Sequence, residues 1–160
     1  MIFSTTELCD RYAGSEHLQI AEPVFKCYGG QTSCQGRVVT LKTFEDTVLI
    51  RQALEEPGNG RILVVDGGGS NRCALVDREL AELACTNDWS GLILYGSIRH
   101  TVALRALPIT IRALHAQPHQ GHKRGTGDRN TLISFAGVNF RTDHFAYVDE
   151  DGIVVSDREL

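Results

Sequence analysis

Several things are scarce in this chain, and each absence removes a class of function. No apolar run approaches the roughly 18 to 20 residues of a membrane span; Ile62 to Val65 and Gly91 to Tyr95 are among the longest. A transmembrane protein is excluded on that pattern. There is no basic excess, since 16 Lys and Arg face 20 Asp and Glu for a net charge of -4. Direct contact with nucleic acid through its phosphates is therefore not expected. Met1 to Asp10 show neither a cationic nor an apolar leader segment, so the cytoplasm is the expected compartment. Repeats, low-complexity tracts and Pro/Ser-rich linkers are all missing. Five dispersed cysteines, Cys9, Cys27, Cys34, Cys73 and Cys85, form no C-x-x-C pair, which fits reduced thiols better than a disulfide framework or a zinc knuckle. Cys73 alone stands beside a Gly-rich loop, but no His lies at recognisable spacing to activate it.

What remains is 160 residues with 42% hydrophobic and 22% charged side chains, the make-up of one globular domain, 1–160, with a sizeable core. Thr6 is placed to cap a short first helix. Pro23 and Gly29-Gly30 break the next segment into extended pieces. Arg37 to Thr43 has the β-branched density of a strand, and Asp46 to Glu55 has helical spacing. Ile62 to Asp66 and Gly91 to Gly96 are continuous apolar runs bounded by glycines, the pattern of strands buried on both faces. Between them Asp77 is positioned as the N-cap of a helix reaching Asn87. Two buried strands joined by a helix make a right-handed βαβ unit. A short helix over Val102 to Leu107 and a strand over Ile109 to His115 follow. Strand-like stretches at Thr131 to Phe135, Val138 to Phe140, Phe145 to Asp149 and Ile153 to Val155 complete an α/β chain that reads as a mixed layered sandwich.

Chemistry is expected where the buried strands end. Asp66-Gly67-Gly68-Gly69-Ser70 closes the first of them, at the strand edge where open α/β sheets hold ligands. Gly67, Gly68 and Gly69 could present amides to an anion, or simply satisfy a turn that needs positive φ. The second strand delivers Arg99 and His100. Arg99 could share the crevice of the Gly loop and grip a small carboxylate with its planar fork, or pair with Asp66 or Asp77. His115, His119 and His122 invite a metal reading, but Pro118 and Gly121 interrupt any helix that would align them. Lys123 to Asp128 reads as a charged, flexible, solvated loop.

Collinear motifs carry a family resemblance along nearly the whole chain. They are Glu7-Leu8-Cys9-Asp10, Glu22-Pro23, Gly29-Gly30, Phe44-Glu45-Asp46, Val64 to Ser70, Tyr95 to Arg99 and Asp151-Gly152-Ile153. With them the chain resembles the regulator of ribonuclease E activity A (RraA) family, within the class II pyruvate aldolase/RraA-like superfamily. The resemblance implies an α-β-β layered sandwich around a central βαβ unit, assembled as a homotrimer with a cleft between neighbouring subunits. It also implies two competing functions. Aldolase members cleave 4-hydroxy-4-methyl-2-oxoglutarate and decarboxylate oxaloacetate with a divalent cation, Mg²⁺ or Mn²⁺, as Lewis acid. Regulators bind ribonuclease E or its associated RNA helicases and need no cofactor.

By that resemblance the substrate or anion positions fall on Asp77, Arg78, Glu79, Leu80 and Arg99, together with the Gly loop. The family's metal-binding Asp falls on His100, and its Gly-Asp helix opening on Asp77-Arg78. An imidazole is a poorer partner than a carboxylate for a hard cation, and an N-cap carboxylate would repel an incoming anion. The sequence reading therefore favours a non-catalytic regulator that inhibits ribonuclease E. The metal-dependent lyase is its alternative, and a sensor of a small 2-oxo carboxylate comes third.

Overall fold

A computed structural model of the chain describes residues 2–160. In chain order the elements are α1 (Thr5–Arg11), β1 (Leu18–Ile20), β2 (Lys26–Cys27), β3 (Cys34–Lys42), α2 (Val48–Glu55), β4 (Ile62–Asp66), β5 (Ala74–Val76) and α3 (Arg78–Thr86). Then come β6 (Gly91–Ile98), α4 (Thr101–Leu104), β7 (Thr110–Ala116), β8 (Asp128–Arg129), β9 (Ile133–Phe135), β10 (Val138–Phe140), β11 (Phe145–Val148) and β12 (Ile153–Ser156). The mixed α/β expectation holds, and the differences lie mostly at element ends. The first helix is capped by Ser4, whose side chain accepts from the Glu7 amide, so Thr6 sits inside the helix instead of capping it. The short helix before Pro108 stops at Leu104.

The main sheet runs β1-β12-β11-β3-β4-β6-β7-β2, with β5 added beside β6 and β8 beside β3. Its centre, β3-β4-β6-β7, is parallel, and the β1-β12-β11-β3 flank is antiparallel. Strand β3 belongs to both parts. Cys34 to Arg37 pair with β11, and Val38 to Lys42 pair with β4.

Side-chain alternation then sorts each central strand between two cores. Leu63 and Val65 of β4, with Leu92 and Leu94 of β6, pack towards α2 and α3 around Leu54, Leu80 and Trp89. Ile62, Val64 and Ile93 face the opposite way, against Phe135, Val138, Phe140 and the β11-β12 pair. Every one of these strand residues is essentially inaccessible, which is why β4 and β6 read as unbroken apolar runs. At about 1.5–3 kcal/mol for each large side chain fully buried, these two faces supply most of the drive to fold. Among the described residues no helix is long and apolar enough to cross a membrane. The five cysteines are free, and burial pushes the Cys34 thiol up to about 11.

Candidate functional site

Strand β5 is short, but it sets the geometry of the carboxyl edge. It runs parallel to the end of β6, pairing Ala74 with Ser97 and Val76 with Ile98, and the Arg99 amide extends the ladder to the Val76 carbonyl at 3.0 Å. This places Asp77, one residue past β5, opposite Arg99, one residue past β6. Asp77 is the N-cap of α3 and accepts from the Leu80 amide at 3.0 Å through Oδ1. Its Oδ2 meets Arg99 Nη2 at 3.4 Å, with both side chains about a quarter exposed. Of the two pairings open to Arg99, the one with Asp77 is realised. Arg99 also donates to Gln120 Oε1 at 3.2 Å and to the Pro118 carbonyl at 3.5 Å.

His100 turns the chain with a φ of 61° and receives the Arg78 amide on Nδ1 at 3.2 Å. Two of the first amides of α3 are thus occupied by the chain's own side chains. The cavity here has a volume of about 120 Å³, and its charged lining is Arg51, Asp77, Glu79, Arg99 and Lys123, with Leu80 on its wall. Arg51 is tied to Glu79 at 2.8 Å. Lys123 makes no ion pair among the described residues, so the lining carries three cations against two carboxylates.

The Gly-rich loop is not part of this cavity. The Gly67 and Gly69 amides both donate to the Tyr95 carbonyl, at 3.1 and 3.0 Å, and the Gly68 amide donates to Asp66 Oδ1 at 2.9 Å. Gly68 and Gly69 have φ of 69° and 72°, and a Cβ on Gly67 would lie 2.5 Å from Leu75. The glycines therefore serve a tight turn over β6, with their amides used up inside the chain. An anion cradle on these three amides, and a crevice shared with Arg99, are not what the folded chain presents. Gly68 instead borders a separate cavity of about 390 Å³ with Lys42, Phe44 and Thr126.

Two acidic residues that the sequence analysis named only within the Phe44-Glu45-Asp46 motif, with no role of their own, hold this edge in place. Glu45, at a φ of 56°, accepts from Arg72 Nε and Nη2 at 2.7 and 2.9 Å and from the Ser70 hydroxyl. The Arg72 bonds, then the Ser70 bond, hold its carboxyl below the usual range. Asp46 is almost wholly buried and accepts from the amides of Val48, Arg124 and Gly125 at 3.0, 2.7 and 2.9 Å. Burial pushes its pKa up, but these amide bonds outweigh burial and hold it low. The Lys123–Asp128 segment is therefore solvated in its side chains yet anchored through its backbone, a correction to the flexible loop expected. Apart from the Val48 amide on Asp46, nothing local could have announced these contacts, because they link residues 25 or more apart. Burial, followed by the Glu45 carboxylate, raises the Cys73 thiol, which argues against a nucleophilic role. His115, His119 and His122 do not converge, and no group of three His, Cys, Asp or Glu fit to hold a metal exists among the described residues.

With this geometry in hand, known proteins give its context. A relative in Methylococcus capsulatus, provisionally named 4-hydroxy-4-methyl-2-oxoglutarate aldolase, is 55% identical over all of this chain and 99% of its own length. The RNA-processing inhibitor RraA of Thermus thermophilus superposes with a TM-score of 0.95 at 39% identity, covering 100% of this chain and 96% of that one. A Geobacillus kaustophilus protein described as an S-adenosylmethionine:2-dimethylmenaquinone methyltransferase also gives 0.95 at 39% identity, over 99% and 97% of the two chains. A family model described as RraA-like, aldolase/RraA, matches residues 5–155. The chain belongs to the aldolase/RraA family.

Proposed function

We propose that this chain is a carbon–carbon lyase of the 4-hydroxy-4-methyl-2-oxoglutarate aldolase type, with the Arg99 cavity as the carboxylate-binding half of its site. The observation that carries the reading is the cationic surplus on that lining, which suits a substrate bearing two carboxylates. Arg99 is held by Asp77 through one 3.4 Å contact at a partly exposed position. Pairs of that kind are worth about 1 kcal/mol or less, so a substrate carboxylate offering two parallel bonds can take the place of Asp77 on the guanidinium. The provisional name of the Methylococcus relative, at 55% identity, supports the substrate class. This reading replaces the regulator as the first choice.

Cleaving such a substrate leaves an enolate whose negative charge must be stabilised, and in lyases of this type a divalent cation supplies that stabilisation. The described residues of this single chain do not complete a site for one. Asp77 has both oxygens engaged, His100 keeps only Nε2 free, and among the described residues no group of three His, Cys, Asp or Glu fit to hold a metal exists. The lyase reading accordingly requires the homotrimer, with a neighbouring subunit supplying the remaining groups at the cleft. Within one chain, Arg99 orients the substrate carboxylate and Lys123 adds positive charge at the mouth.

A second reading is favoured by one observation, the occupation of the Arg78 and Leu80 amides by His100 and Asp77. A helix start that is already capped offers little to an anion. In this reading the trimer is a cofactor-free cytoplasmic regulator that binds ribonuclease E or its associated helicases. It accords with the likeness to the Thermus RNA-processing inhibitor and with an acidic chain that leaves RNA alone. One experiment separates the two. Pyruvate release is measured from 4-hydroxy-4-methyl-2-oxoglutarate and from oxaloacetate, with Mg²⁺, Mn²⁺ or chelator, for wild type and Arg99→Ala. The lyase reading expects cation-stimulated pyruvate in the wild type that is lost in the variant. No pyruvate from either substrate, together with inhibition of ribonuclease E cleavage in a parallel assay, overturns it in favour of the regulator.

A further inference from the structure

Arg112, on β7, is only 7% exposed. Its Nη2 donates to the carbonyls of Thr32 and Asp149, at 3.2 and 2.5 Å, while its Nε is buried with no hydrogen-bond partner. No carboxylate pairs with it among the described residues. The carboxylate of Asp149 is already used, accepting from the Thr5 amide and hydroxyl at 2.7 and 2.6 Å and from the Asp151 amide at 2.9 Å. A guanidinium cannot shed its proton in a protein, so Arg112 is a permanent buried charge without a counterion. That arrangement is costly unless something supplies one.

Arg112 lines a cavity of about 190 Å³ on the far side of the sheet from α2 and α3. Its walls are apolar, formed by Pro23, Phe25 and Ile153, and its rim is acidic, formed by Glu22, Glu150 and Asp151. The volume lies below the roughly 300 Å³ at which pockets for drug-sized ligands begin, so it takes one small molecule. A phosphate or a dicarboxylate could reach Arg112 only past three carboxylates that repel it. A molecule carrying one carboxylate for Arg112, one ammonium for the rim and a short aliphatic side chain satisfies every surface at once.

We propose that this cavity is a binding site for a free α-amino acid with an apolar side chain, separate from the Arg99 site. The carboxylate supplies the counterion that the Arg112 guanidinium lacks. The ammonium faces Glu22 and Asp151, and the side chain lies against Phe25 and Ile153.

Isothermal titration of the full-length wild-type protein with L-valine, L-leucine and L-methionine tests the proposal. Two matched analogues of leucine accompany them, 4-methylpentanoate lacking the amine and 3-methylbutylamine lacking the carboxylate. Saturable binding of at least one amino acid at one per chain is expected, with both leucine analogues about tenfold weaker than leucine or worse, since each loses a charge-assisted bond. Arg112→Gln should weaken binding by a similar factor. The double variant Glu22→Gln, Asp151→Asn changes only exposed side chains and should weaken it several-fold with the circular dichroism spectrum unchanged. Should Arg112→Gln fail to fold, this double variant decides. The proposal is overturned if none of the three amino acids binds, if 4-methylpentanoate binds as tightly as leucine, or if binding persists undiminished in a folded variant.

Discussion

Two carboxylates at the same edge of the sheet do opposite kinds of work. Asp46 is 1% exposed and takes three backbone amides from two segments far apart in sequence. Asp77 is about a quarter exposed in its side chain and takes one amide of its own helix and one long contact with Arg99. The first is a fixed part of the scaffold, because its removal would leave three backbone amides from two segments without their acceptor. The second can be exchanged, because water or a ligand can replace it at little cost. A cavity that must admit a charged molecule needs both, a rigid frame and a replaceable occupant.

The sharpest test of the contrast is Asp46→Ala. It strands the Arg124 and Gly125 amides and frees the Lys123–Asp128 segment, for an expected loss of about 3 kcal/mol. At this chain length that is a drop in Tm of about 6–12 °C, measurable by calorimetry, and proteolysis should then cut first within Lys123–Asp128. Under the lyase reading the next largest effect belongs to Arg99→Ala. Pyruvate release should fall about 100-fold or more, as when other charge-stabilising donors are removed, while urea unfolding changes by less than about 0.5 kcal/mol. A large loss of stability in this variant would erase the distinction between frame and occupant.

Acid should also report on the fixed frame. Asp46 and Glu45 have folded pKa values below their ordinary ones. Their contribution is therefore fully present above the unfolded carboxylate range, near pH 4, and is lost as pH falls through the lower folded values. Stability followed by denaturant titration should decline below about pH 4. In Asp46→Asn that decline should be shallower, from a lower plateau. The smallest expected effect is that of Asp77→Asn. Asparagine caps a helix about as well as aspartate, so stability should move by about 0.5 kcal/mol or less. Pyruvate or oxalate binding at Arg99, followed by titration, should tighten two- to threefold as the competing charge goes.

What the sequence made legible follows the same division. Strands β4 and β6 and helix α3 were readable because their signals are local: an unbroken apolar run, or a capping aspartate followed by helical spacing. The cap at Asp77 and its pairing with Arg99 as one of two outcomes were readable for that reason. Strand β5 was not, since Ala74-Leu75-Val76 becomes a strand only by pairing with the end of β6. The Glu45–Arg72 bridge and the Asp46 anchor join distant segments and leave no periodic trace. The Gly67–Gly69 loop misled in part, because a run of glycine is equally what a ligand's approach and a tight turn demand, and only the partners of its amides tell them apart.

Strand β3 has a bearing on how the molecule comes apart. Because one nine-residue strand carries the β11 ladder at its start and the β4 ladder at its end, neither the parallel nor the antiparallel half can be peeled away without breaking the backbone that the other depends on. The amides of Val38, Val39 and Leu41 are thereby tied to the rarest fluctuation the protein undergoes. In hydrogen exchange they should trade protons only when the whole chain opens, so the two halves of the sheet lose their protection together and behave as one cooperative unit.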